Sequence, residues 1–267
     1  MDIGISIRAM GSESTAAIIG EVLRHAEQAG IESAWIAEHI AIPPDDAEGS
    51  GGRYLDPIST LGWMLGQTRS IKIGSAVLIL PYRPMLPTAK AVATLQELSG
   101  QRLLLGVGIG WMQAEFTALG VARRQRGRIT DDTLGFIRDC FTNEVVEANG
   151  QPFIFEPRPP RPPIYVGGAA PHAVARALKF GDGWMPMGGL DKLQSEIKEF
   201  KIRANEIGHP GEVVMFGSLD EGDEGVSKAK LEAYADAGIT RMIVGRKYAT
   251  AQDWLPTIDL INRLGSS

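Results

Sequence analysis

Eight times in succession, short apolar runs of this 267-residue chain give way to segments whose apolar residues recur at helical spacing. A strand covered on both faces is apolar throughout, as strands of a parallel sheet must be. Arg102–Phe116, RLLLGVGIGWMQAEF, holds the clearest example, with Leu103, Leu104, Leu105 and Val107 nearly continuous. In the same stretch Gly106, Gly108 and Gly110 remove three side chains from five positions, which serves either a bend or the close approach of something flat. The other strands are read at Ile3–Ile7, Ser33–Ala37, Ile71–Leu80, Ile164–Val166, Gly183–Met187, Val213–Phe216 and Arg241–Val244. Gly74, Ser75 and Ala76 interrupt the third of these and suggest a bulge.

The helices between them carry their own punctuation. Ser14–Ala29 stops at Gly30, and Asp56 and Pro57 read as N-cap and first helical residue. Further helices carry Val92, Leu95 and Leu98, then Leu134, Ile137 and Phe141. Others run between Pro171 and Gly181, along Leu193–Ile207 and along Val226–Ala237. Thr250 and Asp253 resemble a capping box opening the last helix. Gln151–Pro163 reads as a short aromatic piece followed by extended RPPRPP. Eight strand–helix units predict parallel strands with right-handed crossovers, closed into a (β/α)8 TIM barrel rather than an open doubly wound sheet. One such domain over residues 1–267 is expected.

The bulk numbers exclude several function classes. With 27 basic against 32 acidic residues the formal net charge is −5, so neither nucleic acid nor an anionic membrane is an expected partner. Cys140 is the one cysteine, so no internal disulfide and no cysteine-based metal cluster is expected. That suits a reducing cytoplasm, and no stretch reads as a signal peptide or a membrane span.

In a barrel of this type the site lies at the C-terminal ends of the strands. Those ends hold Arg8, Glu38, His39, Ala76–Leu80, Gly108–Trp111, Gly167–Ala170, Met187 and Gly245. The set contains no Ser/His/Asp constellation, no HExxH and no carboxylate pair, so it suits an organic cofactor that carries the chemistry itself. His39 is either a hydrogen-bond donor or proton carrier near a cofactor ring, or a satisfied partner of Glu38 or of a backbone carbonyl; Glu38 is read as structural, orienting the imidazole. Gly167, Gly168, Ala169 and Ala170 form a strand-to-helix turn that either holds a phosphate or simply turns the chain; Arg176 either helps there or forms a surface salt bridge. His172, near the start of the following helix, is read as a cofactor contact or an exposed cap. The arginines at 123, 124, 126 and 128 meet an anionic tail or pair with Glu115, Asp131 or Asp132. Trp111 packs on a cofactor or seals its loop.

SAWIAEH, IKIGSAVLILPYRP, AKAVATLQELSGQRLLLGVGIGWMQAEFTALGV and PPIYVGGAAPHAVARALKFGDGWMP, in that order, resemble the luciferase-like monooxygenase superfamily, and most of all its coenzyme F420-dependent oxidoreductase branch. The resemblance implies a TIM barrel that binds reduced flavin or deazaflavin F420 at the strand ends. It implies a non-proline cis peptide near Ala76 and Val77 behind the ring, a histidine at His39, a phosphate turn at Gly167–Ala170, and cofactor contacts at Ile109 and Gly110. It departs at Trp111, where some F420 dehydrogenases place an acid, and at Gln101, where the usual SGGR reads SGQR. The expected function is hydride transfer between F420 and a small organic substrate. An FMN-dependent monooxygenase and a non-catalytic flavin-binding protein are the alternatives. A homodimer is expected from the family alone.

Overall fold

The structure is a computed structural model that describes residues 1–265. The chain runs β1 (Asp2–Ser6), α1 (Ala16–Gln28), β2 (Ser33–Ile36), α2 (Pro57–Gln67), β3 (Lys72–Ile79), α3 (Met85–Leu98), β4 (Leu103–Gly108), α4 (Gln113–Ala118) and α5 (Arg126–Thr142). It continues with β5 (Val145–Ala148), β6 (Gln151–Ile154), β7 (Ile164–Gly167), α6 (His172–Phe180), β8 (Gly183–Met185), α7 (Leu190–Glu206), β9 (Glu212–Gly217), α8 (Glu224–Asp236), β10 (Arg241–Val244) and α9 (Leu255–Gly265). Eight strands close in the order β1-β10-β9-β8-β7-β4-β3-β2, every neighbour parallel. This is the expected (β/α)8 barrel.

Side-chain caps fix where helices begin. Thr15 and Asp223 accept from the backbone N–H of Ile18 and Val226, and Asp56 accepts from Ser59 N at 2.8 Å. Each satisfies an N–H the helix itself cannot. The Thr250–Asp253 capping box is present, although it opens a short 3-10 turn (Ala251–Trp254) that runs on into α9.

Inside the barrel, Trp35, Leu104, Tyr165, Met185, Val214 and Ile243 fill one buried cluster, with Ala76 and Val77 packed against it. Trp35 fits because two strand positions lack side chains. A Cβ on Gly4 would lie 2.8 Å from the indole nitrogen, and one on Gly74 would lie 2.3 Å from ring carbon Cε3. The indole N–H donates to Ser33 Oγ at 2.8 Å, so the buried ring keeps its polar edge satisfied.

The N-terminal end of the barrel is tied by charge. Arg241 at the start of β10 forks onto both oxygens of Glu32 (2.9 and 3.0 Å) and reaches Asp2 at 2.9 Å. Its remaining arm donates to the Tyr165 hydroxyl at 2.7 Å, which donates onward to Glu212 at 2.8 Å. Elements before β2, in β1, β7, β9 and β10 are thereby held by one guanidinium whose side chain is 5% exposed.

Three local readings are corrected. Gly106 lies inside β4 and serves no bend: a Cβ there would sit 2.0 Å from the Ser75 carbonyl oxygen, and Ser75 Oγ donates to Gly106 O at 2.7 Å. The sixth barrel strand stops at Met185, short of Met187. The aromatic piece near Gln151 belongs to an antiparallel hairpin, β5–β6, turned by Asn149 and Gly150 at φ 52° and 77°. Asn-Gly between short strands is the signal for such a two-residue turn.

Candidate active site

A cavity of about 510 Å³ opens at the C-terminal ends of β3, β4, β7, β8 and β9. Ala76, Val77, Ile79, Gly108, Ile109, Gly110 and Trp111 line one side; Gly167, Gly168, Met185, Pro186, Met187, Gly188, Phe216 and Arg126 complete it. The floor follows from an irregularity in β3. The β3–β4 register shifts between Ser75 and Leu78, and the Ala76–Val77 peptide within the shift is cis. Val77 projects between two strands that make way for it: a Cβ on Gly108 would lie 2.6 Å from Val77 Cγ2, and one on Gly167 would lie 3.0 Å from Cγ1. Gly110 turns the chain with φ 72°, in the region that glycine alone enters without cost.

Of the residues singled out in the sequence, Ala76, Val77, Ile109, Gly110, Gly167 and Gly168 meet in this cavity. Ala169 and Ala170 continue the turn beyond it. Gly168 N–H is given to Met185 O at 3.2 Å, and Gly168 O accepts from Trp184 Nε1 at 2.8 Å. The spare donors of that turn are therefore fewer than four glycine- and alanine-rich positions suggest. Arg176 is engaged elsewhere: its Nε pairs with Asp131 at 2.5 Å, joining α6 to α5. The salt-bridge alternative is the one the structure displays.

His39 stands at the rim. Its ring meets Tyr54 edge-on at 5.0 Å between centroids, and cavity-lining Trp111 at 6.0 Å and 86°. The partner of its Nδ1 is not Glu38. It is Glu115 Oε2, at 3.1 Å, from α4. The same oxygen accepts from the Tyr82 hydroxyl at 2.7 Å, while Oε1 accepts from the N–H groups of Ile40 (2.5 Å) and Ala41 (3.1 Å). Burial by itself raises the pKa of this carboxyl. The Ile40 N–H, the Tyr82 hydroxyl, the Ala41 N–H and the His39 ring outweigh that and hold it below the usual range. The three other donors and the lowered pKa leave Glu115 ionised and acceptor-only, so the proton on the shared line belongs to His39 Nδ1. Nε2 is the nitrogen left to carry the lone pair in the neutral ring, and it makes no hydrogen bond among the described residues.

Glu38 does different work. It is buried, accepts from Ile79 N at 2.5 Å and pairs with Arg83, which also holds Asp56 at 3.0 Å. Burial pushes its carboxyl up to about 7 against the pull of Arg83. It braces the end of β3 and leaves the imidazole alone.

The arginine cluster separates in space. Arg128 pairs with Asp132 at 3.5 Å on an exposed helix face, and Glu115 is not a partner of any of the four. Arg126 alone lines the cavity, and its Nε is buried without a hydrogen-bond partner. It forms no ion pair among the described residues. Sequence reasoning could not choose it from four similar neighbours. His209 is a structural residue, with Nε2 against the carbonyl oxygens of Ala177 and Gly181, and Cys140 is buried. His172 is exposed at the first position of α6. Among the described residues no group of three or more His, Cys, Asp or Glu is placed to hold a metal ion, and no helix is long and apolar enough to cross a membrane.

Comparison with known proteins adds ancestry. The family described as luciferase-like monooxygenase matches residues 2–220. An F420-dependent hydroxymycolic acid dehydrogenase of Mycobacterium tuberculosis (strain ATCC 25618 / H37Rv) is 31% identical over 170 residues, covering 60% of this chain and 46% of that protein. Among solved structures, an F420-dependent secondary alcohol dehydrogenase in complex with an F420-acetone adduct aligns with TM-score 0.77 at 16% identity, over 98% of this chain and 97% of that one. The oxygenating constituent of 3,6-diketocamphane monooxygenase of Pseudomonas putida, in complex with FMN, aligns with TM-score 0.77, also at 16% identity over 98% and 97%. At such identity the two structures speak for the fold alone. The family match runs through every cavity-lining residue and through His39 and Glu115, and on it the chain belongs to the luciferase-like monooxygenase family.

Proposed function

We propose that this protein is an F420-dependent oxidoreductase that moves hydride between the deazaflavin and an organic substrate. The observation that carries the reading is the composition of the cavity. Its lining holds one charge, Arg126, and no carboxylate, thiol or imidazole. Such a pocket needs a bound group to supply the chemistry.

The residues present fit a flat ring with an anionic tail. Gly108 and Gly167 make room for Val77, whose side chain offers an apolar support at the cavity floor. The unpartnered Nε of Arg126 is a buried donor that an anionic group satisfies. When bound, the deazaflavin supplies the carbon that accepts or returns hydride. Ala76, Val77, Ile109 and Gly110 would hold the ring, and Arg126 with Gly168, Ala169 and Ala170 would hold its phosphate side. Arg176 takes no part while Asp131 occupies it. His39 Nε2 takes or returns the proton on the substrate oxygen, and the Glu115 carboxylate steadies the imidazolium that results.

The reading is supported by the F420-dependent relative at 31% identity. An FMN-dependent monooxygenase is the second reading, favoured by the same barrel in a structure complexed with FMN. Titration of the protein with F420 and with FMN separates them. Tight FMN binding with no detectable F420 binding overturns the first. Turnover that disappears in His39→Ala while cofactor affinity stays excludes a passive cofactor carrier.

A further inference from the structure

We propose that Arg8 seats a carboxylate of the substrate, at a rim built by the loops that follow β1, β2 and β10 and across the barrel mouth from Arg126. That the organic acid is the substrate rests on the oxidoreductase reading above. The seat itself takes a carboxylate whether or not a cofactor is bound.

Two observations carry it. The first is an arginine whose donors are largely unused. A guanidinium offers five N–H donors in a planar fork. Arg241 engages all three of its nitrogens with Glu32, Asp2 and Tyr165. Arg8 gives one side-chain hydrogen bond, from Nη2 to Gly49 O at 3.4 Å. Its Nε is buried without a partner, and its Nη1 makes no hydrogen bond among the described residues. Glu13 Oε2 stands 3.4 Å from Nη2, near enough to offset charge but without a hydrogen bond. The residue is nonetheless fixed, because its backbone N–H donates to the Tyr248 hydroxyl at 2.8 Å and Tyr248 packs on Trp254. The side chain, 24% exposed, thus stands at a strand end with its fork idle. An idle fork of this shape matches a carboxylate, which accepts two parallel N–H bonds.

The second observation is the setting. Arg53, on the facing loop, spends its donors on Ser14, reaching Oγ and the carbonyl oxygen at 3.0 Å each. Gly11 N donates to Arg53 O at 3.0 Å, which ties the loops after β1 and β2 together. Glu13 is the one carboxylate paired with either guanidinium among the described residues. One further carboxylate balances the pair, whereas a phosphate dianion exceeds it beside Glu13 and Glu115. Tyr54 links this seat to the cavity. Its ring meets His39 edge-on, and its hydroxyl feels the charges of both Arg8 and Glu115. An acid held at Arg8 therefore extends past Tyr54 and His39 towards Trp111 at the cavity lip. Arg126 sits between β4 and β7 in the chain, and β7 is four places from β1 in the ring of eight strands. The two cations thus serve opposite sides of the mouth.

Hexanoate, its neutral amide hexanamide, and hexyl phosphate are titrated by calorimetry against the protein, bare and loaded with F420. Hexanoate is expected to bind about tenfold more tightly than hexanamide. Arg8→Gln should erase that difference and Arg8→Lys should keep part of it. Glu13→Gln removes the competing carboxylate, so it should tighten hexanoate severalfold and leave hexanamide unchanged. Arg126→Gln should leave the preference in place in the bare protein. Equal affinity for acid and amide, or hexyl phosphate binding more tightly than hexanoate, overturns the proposal. So does a preference that survives Arg8→Gln and disappears in Arg126→Gln. If Arg8→Gln does not fold, Glu13→Gln decides, and unchanged hexanoate affinity there overturns it. Cofactor affinity is measured separately by its visible absorbance. Loss of F420 binding with the Arg8-dependent preference intact defeats the cofactor reading and leaves the seat standing. F420 binding with no preference for the acid does the reverse.

Discussion

The two ends of the barrel solve opposite problems. At the N-terminal end, Arg241, Glu32, Asp2, Tyr165 and Glu212 are packed into one hydrogen-bonded charge cluster. At the C-terminal end the strands finish in glycines and apolar side chains, and the cavity is left with one unpaired cation. Buried charges compensate one another at one end, while at the other a buried donor is left waiting. The first arrangement suits permanence, because removing any member leaves the rest uncompensated. The second suits occupancy by something that arrives from solution.

The contrast can be broken most sharply by removing the central cation. Arg241→Ala leaves Glu32 with Lys72 alone, at 2.9 Å, and strands the Tyr165–Glu212 pair. A stability loss of about 3–5 kcal/mol in urea unfolding is expected, with cofactor affinity unchanged in the folded fraction. A loss below about 1 kcal/mol would sink the view of this end as a structural clamp. The mirror experiment at the open end is Arg126→Ala: unfolding moves by less than about 1 kcal/mol, but cofactor affinity falls at least tenfold. Equal effects on both quantities would mean the two ends are not specialised.

Glu115→Gln probes the rim. The new amide sets an N–H against the donors of Ile40, Ala41, Tyr82 or His39, at a cost of about 1–3 kcal/mol. More tellingly, it ends the assignment of the proton to Nδ1, so turnover should fall and its pH profile shift while cofactor affinity holds. An unchanged pH profile would make Glu115 a purely structural residue.

The smallest expected effect separates the two buried glutamates by sign. The Glu115 carboxyl is held low in the folded protein. Its contribution is complete above the ordinary value of 4.5 and is lost as pH falls through its lowered one. The Glu38 carboxyl is raised to about 7, so the folded state binds the extra proton and this residue's contribution declines as pH climbs from 4.5 towards 7. Urea midpoints at pH 5 and pH 7.5 should therefore draw together in Glu38→Gln. If the mutant keeps the full wild-type difference, the titration belongs to another group.

The barrel was legible because its cause is local. Runs such as Leu103–Leu105, followed at once by glycines and alternating with helical spacing, read as covered strands, and Asp56–Pro57 and Thr250–Asp253 mark helix starts within a few residues. The cavity floor was legible in part, since glycines at 108, 110 and 167 announce missing side chains. What filled their place, Val77 leaning across from β3, came from another strand. The His39 partner was misread for the same reason. Glu38 is adjacent in sequence, but successive side chains near a strand end point to different faces. Glu115 is 76 residues away and is brought in by closure of the barrel. The hairpin at Asn149–Gly150 was different: its signal was present and local, and went unread.

One consequence of the Glu115 carboxylate lies outside catalysis. Two successive amides of the loop after β2, Ile40 and Ala41, are wired to a single oxygen. That loop runs on to an antiparallel bridge between Tyr54 and Met10, where Gly11 N donates to Arg53 O at 3.0 Å and Leu55 N to Ala9 O at 2.9 Å. Its first residues therefore keep time with a side chain on α4. An isotope-labelled amide at Ile40 or Ala41 becomes a clock hand: its solvent exchange should quicken when that one oxygen loses its charge. The rim could then be watched loosening, residue by residue, while the barrel beneath it stays shut.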